Sequence, residues 1–113
     1  MAVMDTTQLE KVRSGAGFFA ALDQSAEARQ VGLSLRETTM VIFGSPAAGT
    51  PVMATSPLAG VDLPLKVLVW DNSGRVTVSY NAPAWLAARH GLGRELAGNL
   101  AGIDALTDAL VAE

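Results

Sequence analysis

The chain has 113 residues, a formal net charge of −3 and no cysteine. Disulfides, thiolate zinc sites and cysteine nucleophiles are therefore excluded, and a single histidine excludes a multi-histidine metal centre. Half of the residues are apolar and 17% are charged, a globular composition, while a pI near 5.0 argues against nucleic acid and anionic membranes as partners.

The length suits one domain spanning residues 1–113. Asp5 and Glu10 stand where an export signal would need a basic start and an apolar run, so the chain reads as soluble and cytoplasmic. Residues 5–14 predict a first helix, with Leu9 and Val12 on a thin apolar stripe and Gly15 and Gly17 as its stop. Residues 17–23 predict a strand, and residues 25–31 a helix ended by Gly32. Residues 38–43 predict a second strand, rich in β-branched and aromatic side chains.

Residues 44–49 read as a loop. Thr50-Pro51 then reads as a helix start, a hydroxyl cap followed by proline at the first helical position, and Pro57 keeps that helix short. Residues 38–61 carry no charge, yet Pro46, Pro51 and Pro57 with Gly44 and Gly60 rule out one continuous membrane-crossing helix.

Residues 65–71 form the strongest strand pattern, and Asn72-Ser73-Gly74 is turn chemistry. Residues 75–81 alternate cleanly, so residues 65–81 predict an antiparallel hairpin. Pro83 opens a helix through His90 that Gly91 closes. A last helix is expected over residues 94–111, with Leu96, Leu100, Ile103, Leu106 and Leu110 on one face. Strands 38–43 and 65–70 are apolar on both faces. Helices on one side of a sheet leave the other face to be covered, and a second chain would serve.

Four ordered blocks carry a family resemblance: residues 35–53 around Ile42-Phe43-Gly44-Ser45-Pro46, then Asp62-Leu63-Pro64-Leu65-Lys66, Ser79-Tyr80-Asn81 and Arg89-His90-Gly91-Leu92. Over residues 15–113 the chain resembles the bacterial and archaeal family called domain of unknown function 302. The resemblance implies an α+β fold, a curved antiparallel-rich sheet with helices packed on one face in two layers. It also implies a homodimer and brings no established activity. Asp23-Gln24 departs from the Asp-His of the family. Family members begin with a strand before the first helix, whereas only Met1-Ala2-Val3 precede it here. Either the sheet lacks that strand or the start lies upstream.

Several residues are candidates for chemistry. Gly44, Gly49 and Thr50 imitate a phosphate loop but lack its lysine, which argues against nucleotide hydrolysis. A helix N-terminus beginning at Thr50 remains suited to a small acidic ligand, with Met53 as an adaptable apolar wall; the competing reading is a turn and a cap. His90 at a helix C-terminus is explained by the helix dipole, or else by acid–base work with Tyr80 or Asp62. Asp62 is also a turn residue by type. Lys66, inside an apolar strand, either snorkels to the sheet edge or places a charge in a groove. Trp70, Tyr80 and Trp85 read as core or interface aromatics. Gly98 and Gly102 read as a close-packing pair.

The sequence thus predicts a homodimeric domain that binds a small ligand or partner protein at Gly44, Gly49, Thr50, Met53, Asp62, Lys66, Tyr80 and His90, with no cofactor and no metal. The alternative is a small enzyme or enzyme accessory using His90 and Tyr80.

Overall fold

The computed structural model describes residues 18–101. Strand β1 (Phe18–Asp23) leads directly into helix α1 (Gln24–Gln30), followed by β2 (Thr38–Phe43) and helix α2 (Pro46–Thr55). A 3-10 turn (Pro57–Val61) precedes β3 (Leu65–Asn72) and β4 (Arg75–Tyr80), and helices α3 (Pro83–His90) and α4 (Arg94–Gly98) follow. The four strands form one antiparallel sheet in the order β1-β2-β3-β4. The expected α+β class and antiparallel sheet are thus present.

The corner between β1 and α1 is built by Asp23. Its Oδ1 accepts the Ala26 N–H at 2.9 Å and the Ser25 hydroxyl at 2.5 Å. Ser25 is fully buried and accepts the Thr38 N–H at 3.2 Å, so one hydroxyl joins the start of α1 to the start of β2. The Ser25 hydroxyl, followed by the Ala26 N–H, holds the Asp23 carboxyl below the ordinary carboxylate range.

The hairpin β3–β4 pairs Val67 with Tyr80, Val69 with Val78 and Asn72 with Arg75. That register leaves Ser73 and Gly74 as a two-residue loop, both with positive φ (54° and 91°), as a type I′ turn requires. The Gly74 N–H donates to Asp71 Oδ1 at 2.7 Å.

Register and alternation sort the sheet into two faces. Val41, Phe43, Leu65, Val67 and Val69 are buried on one, packed with Val52 of α2, Ala59 of the 3-10 turn, Leu86 of α3 and Leu100. The opposite face carries Leu22, Met40, Ile42, Leu68 and Trp70, exposed or only half-buried. On that face the Trp70 indole N–H donates to Ser79 Oγ at 2.9 Å and the Arg36 guanidinium lies over the indole ring.

Two boundaries differ from the sequence reading by more than one residue. Helix α2 begins at Pro46, not Pro51, and its cap is Ser45, not Thr50. Ser45-Pro46 and Thr50-Pro51 carry the same hydroxyl-then-proline signature, and the chain uses the first. Pro51 then sits inside the helix, where only one N–H bond, to Ala47, is forfeited. The last helix stops at Gly98 as α4 and tightens into turns in which Asn99, Leu100 and Ala101 each bond three residues back. Gly98 and Asn99 are poor helix formers, and together they outweigh the apolar periodicity at this point. Residues 102–111 of the expected helix, and the helix expected over residues 5–14, lie outside the described residues.

Candidate functional site

A cleft of about 250 Å³ opens beside the N-terminal half of α2. Gly44 and Ser45, where β2 hands over to the helix, form one end. Pro46, Ala48, Gly49, Thr50 and Met53 supply the helix wall. The segment Leu63-Pro64-Leu65, with a cis peptide before Pro64, supplies the facing wall, and Asn99 and Leu100 close the far side.

The cap positions the helix wall. Ser45 is extended at φ −129° and ψ 124°; its carbonyl accepts Gly49 N–H at 2.8 Å, and its hydroxyl accepts Ala48 N–H at a long 3.4 Å. Asn99 fixes the far side. Its Nδ2 donates to the Ala48 carbonyl at 3.1 Å, tying the end of α4 to α2 across 51 positions of sequence. Among the described residues, none that lines the cleft carries an ionisable side chain.

A second constellation lies behind the cleft wall. Asp62, ending the 3-10 turn, and His90, ending α3, meet at 2.5 Å between Oδ2 and Nε2. Arg89 adds a 3.5 Å contact to the same oxygen, with its guanidinium also over the Trp85 ring. The His90 side chain is 8% exposed and that of Asp62 14%, so the pair is largely shielded from water. Gly91 adopts the left-handed conformation (φ 63°) that ends α3 here, and the basic pair Arg89-His90 lies in the last turn, where the helix dipole favours positive charge. The space between Asp62, His90 and the core measures about 10 Å³, room for a single water at most.

A family model described as "Domain of unknown function DUF302" matches residues 2–110. The chain belongs to that family. Its fold is shared with the DUF302 crystal structure described as an uncharacterized conserved protein from Bacillus stearothermophilus. The TM-score is 0.72 at 20% identity, covering 92% of this chain and 84% of that one. Among curated proteins, the chain is 45% identical over 80 residues to "Fluoride-specific ion channel FluC 1" of Brucella suis biovar 1 (strain 1330), spanning 70% of this chain and 32% of that protein. It matches "Fluoride-specific ion channel FluC 2" of Brucella melitensis biotype 1 at 45% over 80 residues, there 30% of the protein. The chain therefore spans about a third of the length of these relatives. Among the described residues of this DUF302 chain, no helix is long and apolar enough to cross a membrane.

The sequence-predicted residues fall into three places. Gly44, Gly49, Thr50 and Met53 all line the cleft. Asp62 and His90 form the buried pair. Lys66 and Tyr80 line neither cavity. Lys66 pairs with Ile42 on the second sheet face, and Tyr80 pairs with Val67 near the end of β4, 38% exposed. Sequence reasoning missed Ser45, Leu63, Pro64 and Asn99 in the cleft. Ser45 had a signal in the Ser-Pro dipeptide; Asn99 had none, because its partner is 51 positions away.

Proposed function

We propose that this DUF302 domain is a homodimeric ligand-binding module whose site is the cleft beside α2. One observation carries the reading: a concave, mainly apolar cavity of about 250 Å³ with three polar side chains, Ser45, Thr50 and Asn99, among those that line it. A small, largely apolar molecule fits that lining. The phosphate-loop likeness loses weight, since Thr50 lies in the second turn of α2 and, among the described residues, no cation lines the cleft. Fluoride, named in the curated relatives, enters as a ligand to be tested. An apolar wall without a cation or a ring of N–H donors gives a small, strongly hydrated anion little in exchange for its water.

The dimer reading rests on the second sheet face, where Met40, Ile42, Leu68 and Trp70 form a mainly apolar surface that also carries Lys66 and is suited to a copy of itself. The reading as an enzyme using His90 and Tyr80 is less well supported. The His90 ring is bonded to Asp62, the space of about 10 Å³ that both border admits no substrate, and Tyr80 lines neither cavity.

Gly49→Leu tests the site. A Cβ at Gly49 would meet Met53 Cε at 3.9 Å and Leu63 Cδ1 at 4.0 Å, ordinary contacts, so the backbone accepts a side chain whose outer atoms then fill the cleft. Small aromatics and fluoride, screened by ligand-observed NMR, should divide. Aromatics should bind the wild type and not Gly49→Leu, and fluoride should bind neither. Equal aromatic binding to both proteins would remove the cleft from consideration. Light scattering should give twice 11.7 kDa, and a monomer at all micromolar concentrations would overturn the dimer.

A further inference from the structure

Resting on the cleft as the ligand site, we propose that Asp62 and His90 are positioning residues for it. The shielded pair draws the wall at Leu63 back from the cleft, so ligand affinity follows the charge on His90. Leu63 lines the cleft and also borders the small space beside His90. Asp62 is its chain neighbour. The N–H groups of both donate to the Ala59 carbonyl, each at 3.0 Å. The carboxylate that holds His90 and the side chain that walls the cleft thus hang on one backbone turn. The other end of the bond is anchored, since His90 closes α3 and Leu86 of that helix is packed in the core. A change in the Asp62–His90 bond is therefore taken up by the turn, and with it by Leu63.

That bond has two strengths. A carboxylate and an imidazolium make a charge-assisted hydrogen bond, shorter and stronger than the one a neutral ring donates. Asp62 faces the ring from the 3-10 turn, and Arg89, in the last turn of α3, lies 3.5 Å from the same oxygen. The rest of the lining, Val52 of α2 with Ala59, Leu63, Leu86, Leu92 and Leu100, is apolar. Among the described residues that line this space or bond to the pair, Asp62 and Arg89 thus carry the charge around the ring. A charged His90 holds the turn against α3 and keeps the cleft open. A neutral His90 lets Leu63 settle toward the cleft. A ligand that needs the open cleft favours the charged ring, and by linkage the charged ring favours the ligand to the same extent. The competing role for the pair is a purely structural tie between the turn and α3. That role predicts a loss of stability without the pair, and one affinity at every pH.

The test measures dissociation constants of benzyl alcohol, a neutral probe, by calorimetry on the full chain. The two conditions are about pH 5.5 and about pH 8, the interval in which imidazole side chains change charge. The wild type should bind about threefold more tightly at the lower pH, part of the difference between a charge-assisted and a neutral hydrogen bond. His90→Gln keeps a neutral N–H donor and cannot titrate. It should bind equally at both values, with the weaker affinity that the wild type shows at the higher pH. Should His90→Gln fail to fold, Asp62→Asn removes the charge that responds to the ring and should likewise level the two affinities. Equal wild-type affinities, tighter binding at the higher pH, or an unchanged ratio in the variant overturns the proposal for the pair and leaves the cleft. No binding at either pH removes the cleft and the proposal together.

Discussion

The Asp62 carboxylate and the His90 imidazole, 28 positions apart in the chain, meet at 2.5 Å and join the end of the 3-10 turn to the end of α3. Asp62 also receives Arg89, so one carboxylate gathers both basic residues of the last turn of that helix. Removing the carboxylate would leave Nε2 of a side chain that is only 8% exposed without its Asp62 partner. Asp62→Ala is expected to cost about 2 kcal/mol in urea denaturation, and Asp62→Asn, which keeps an acceptor, about half as much. Losses within about 0.5 kcal/mol for both variants would mean the pair contributes little.

Two hydroxyls compete for the role of helix cap, and stability distinguishes them. Ser45→Ala should cost about 0.5–1 kcal/mol, toward the lower end because the bond from Ala48 N–H to its hydroxyl is long, at 3.4 Å. Thr50→Ala, inside α2, should be neutral or slightly stabilising, because alanine is the better helix former. The reverse ranking would return the helix start to Pro51.

Asp23 gives the domain an acid-sensitive corner. Its carboxyl is held below the ordinary range by the Ser25 hydroxyl first and the Ala26 N–H second, so the folded state binds a proton less readily than the unfolded chain. The stabilisation is therefore fully present above the unfolded value, about pH 4, and is lost as pH falls through the lower folded value. Asp23→Asn keeps an oxygen for the cap and removes the titration. Its stability gap from the wild type should be constant from pH 7 to pH 5 and shrink below about pH 4 in chemical denaturation. A gap that widens in acid would reverse the sign.

The hairpin turn leaves room for improvement. Ser73 holds φ 54° before Gly74 at 91°, and asparagine tolerates the left-handed region better than serine. Ser73→Asn should raise stability by about 0.5 kcal/mol, and Gly74→Ala should lower it by about 1 kcal/mol. Thermal melts of the two variants should move in opposite directions.

The legible parts of this fold are the ones written in neighbouring residues. β2 and α3 match their expected limits because β-branched runs, Pro83 and Gly91 are local signals. The hairpin was readable because Asn72-Ser73-Gly74 is turn chemistry between two strand patterns, although Asn72 proves to belong to β3 and the loop is Ser73-Gly74 alone. The helix start was misplaced because Ser45-Pro46 and Thr50-Pro51 carry the same hydroxyl-then-proline signal, and the start adopted goes with tertiary contacts, Val52 in the core and Asn99 bonded to Ala48, that no local pattern shows. The site divides in the same way. The cluster from Gly44 to Met53 was visible as a loop-and-helix motif, whereas Leu63, Pro64 and Asn99 join it by tertiary approach. Sequence type made Asp62 and His90 candidates, but their meeting depends on where α3 is laid down.

Leu63 and Leu100 each line both the cleft and the small space beside His90, so two side chains are the partition between them. Pressure on one side of that partition should be felt on the other. The chain has one histidine, hence one set of imidazole ring signals in a proton spectrum. The proposed ligand site can therefore be watched without a label: filling the cleft should move a single resonance next door, with no probe attached to the cleft itself.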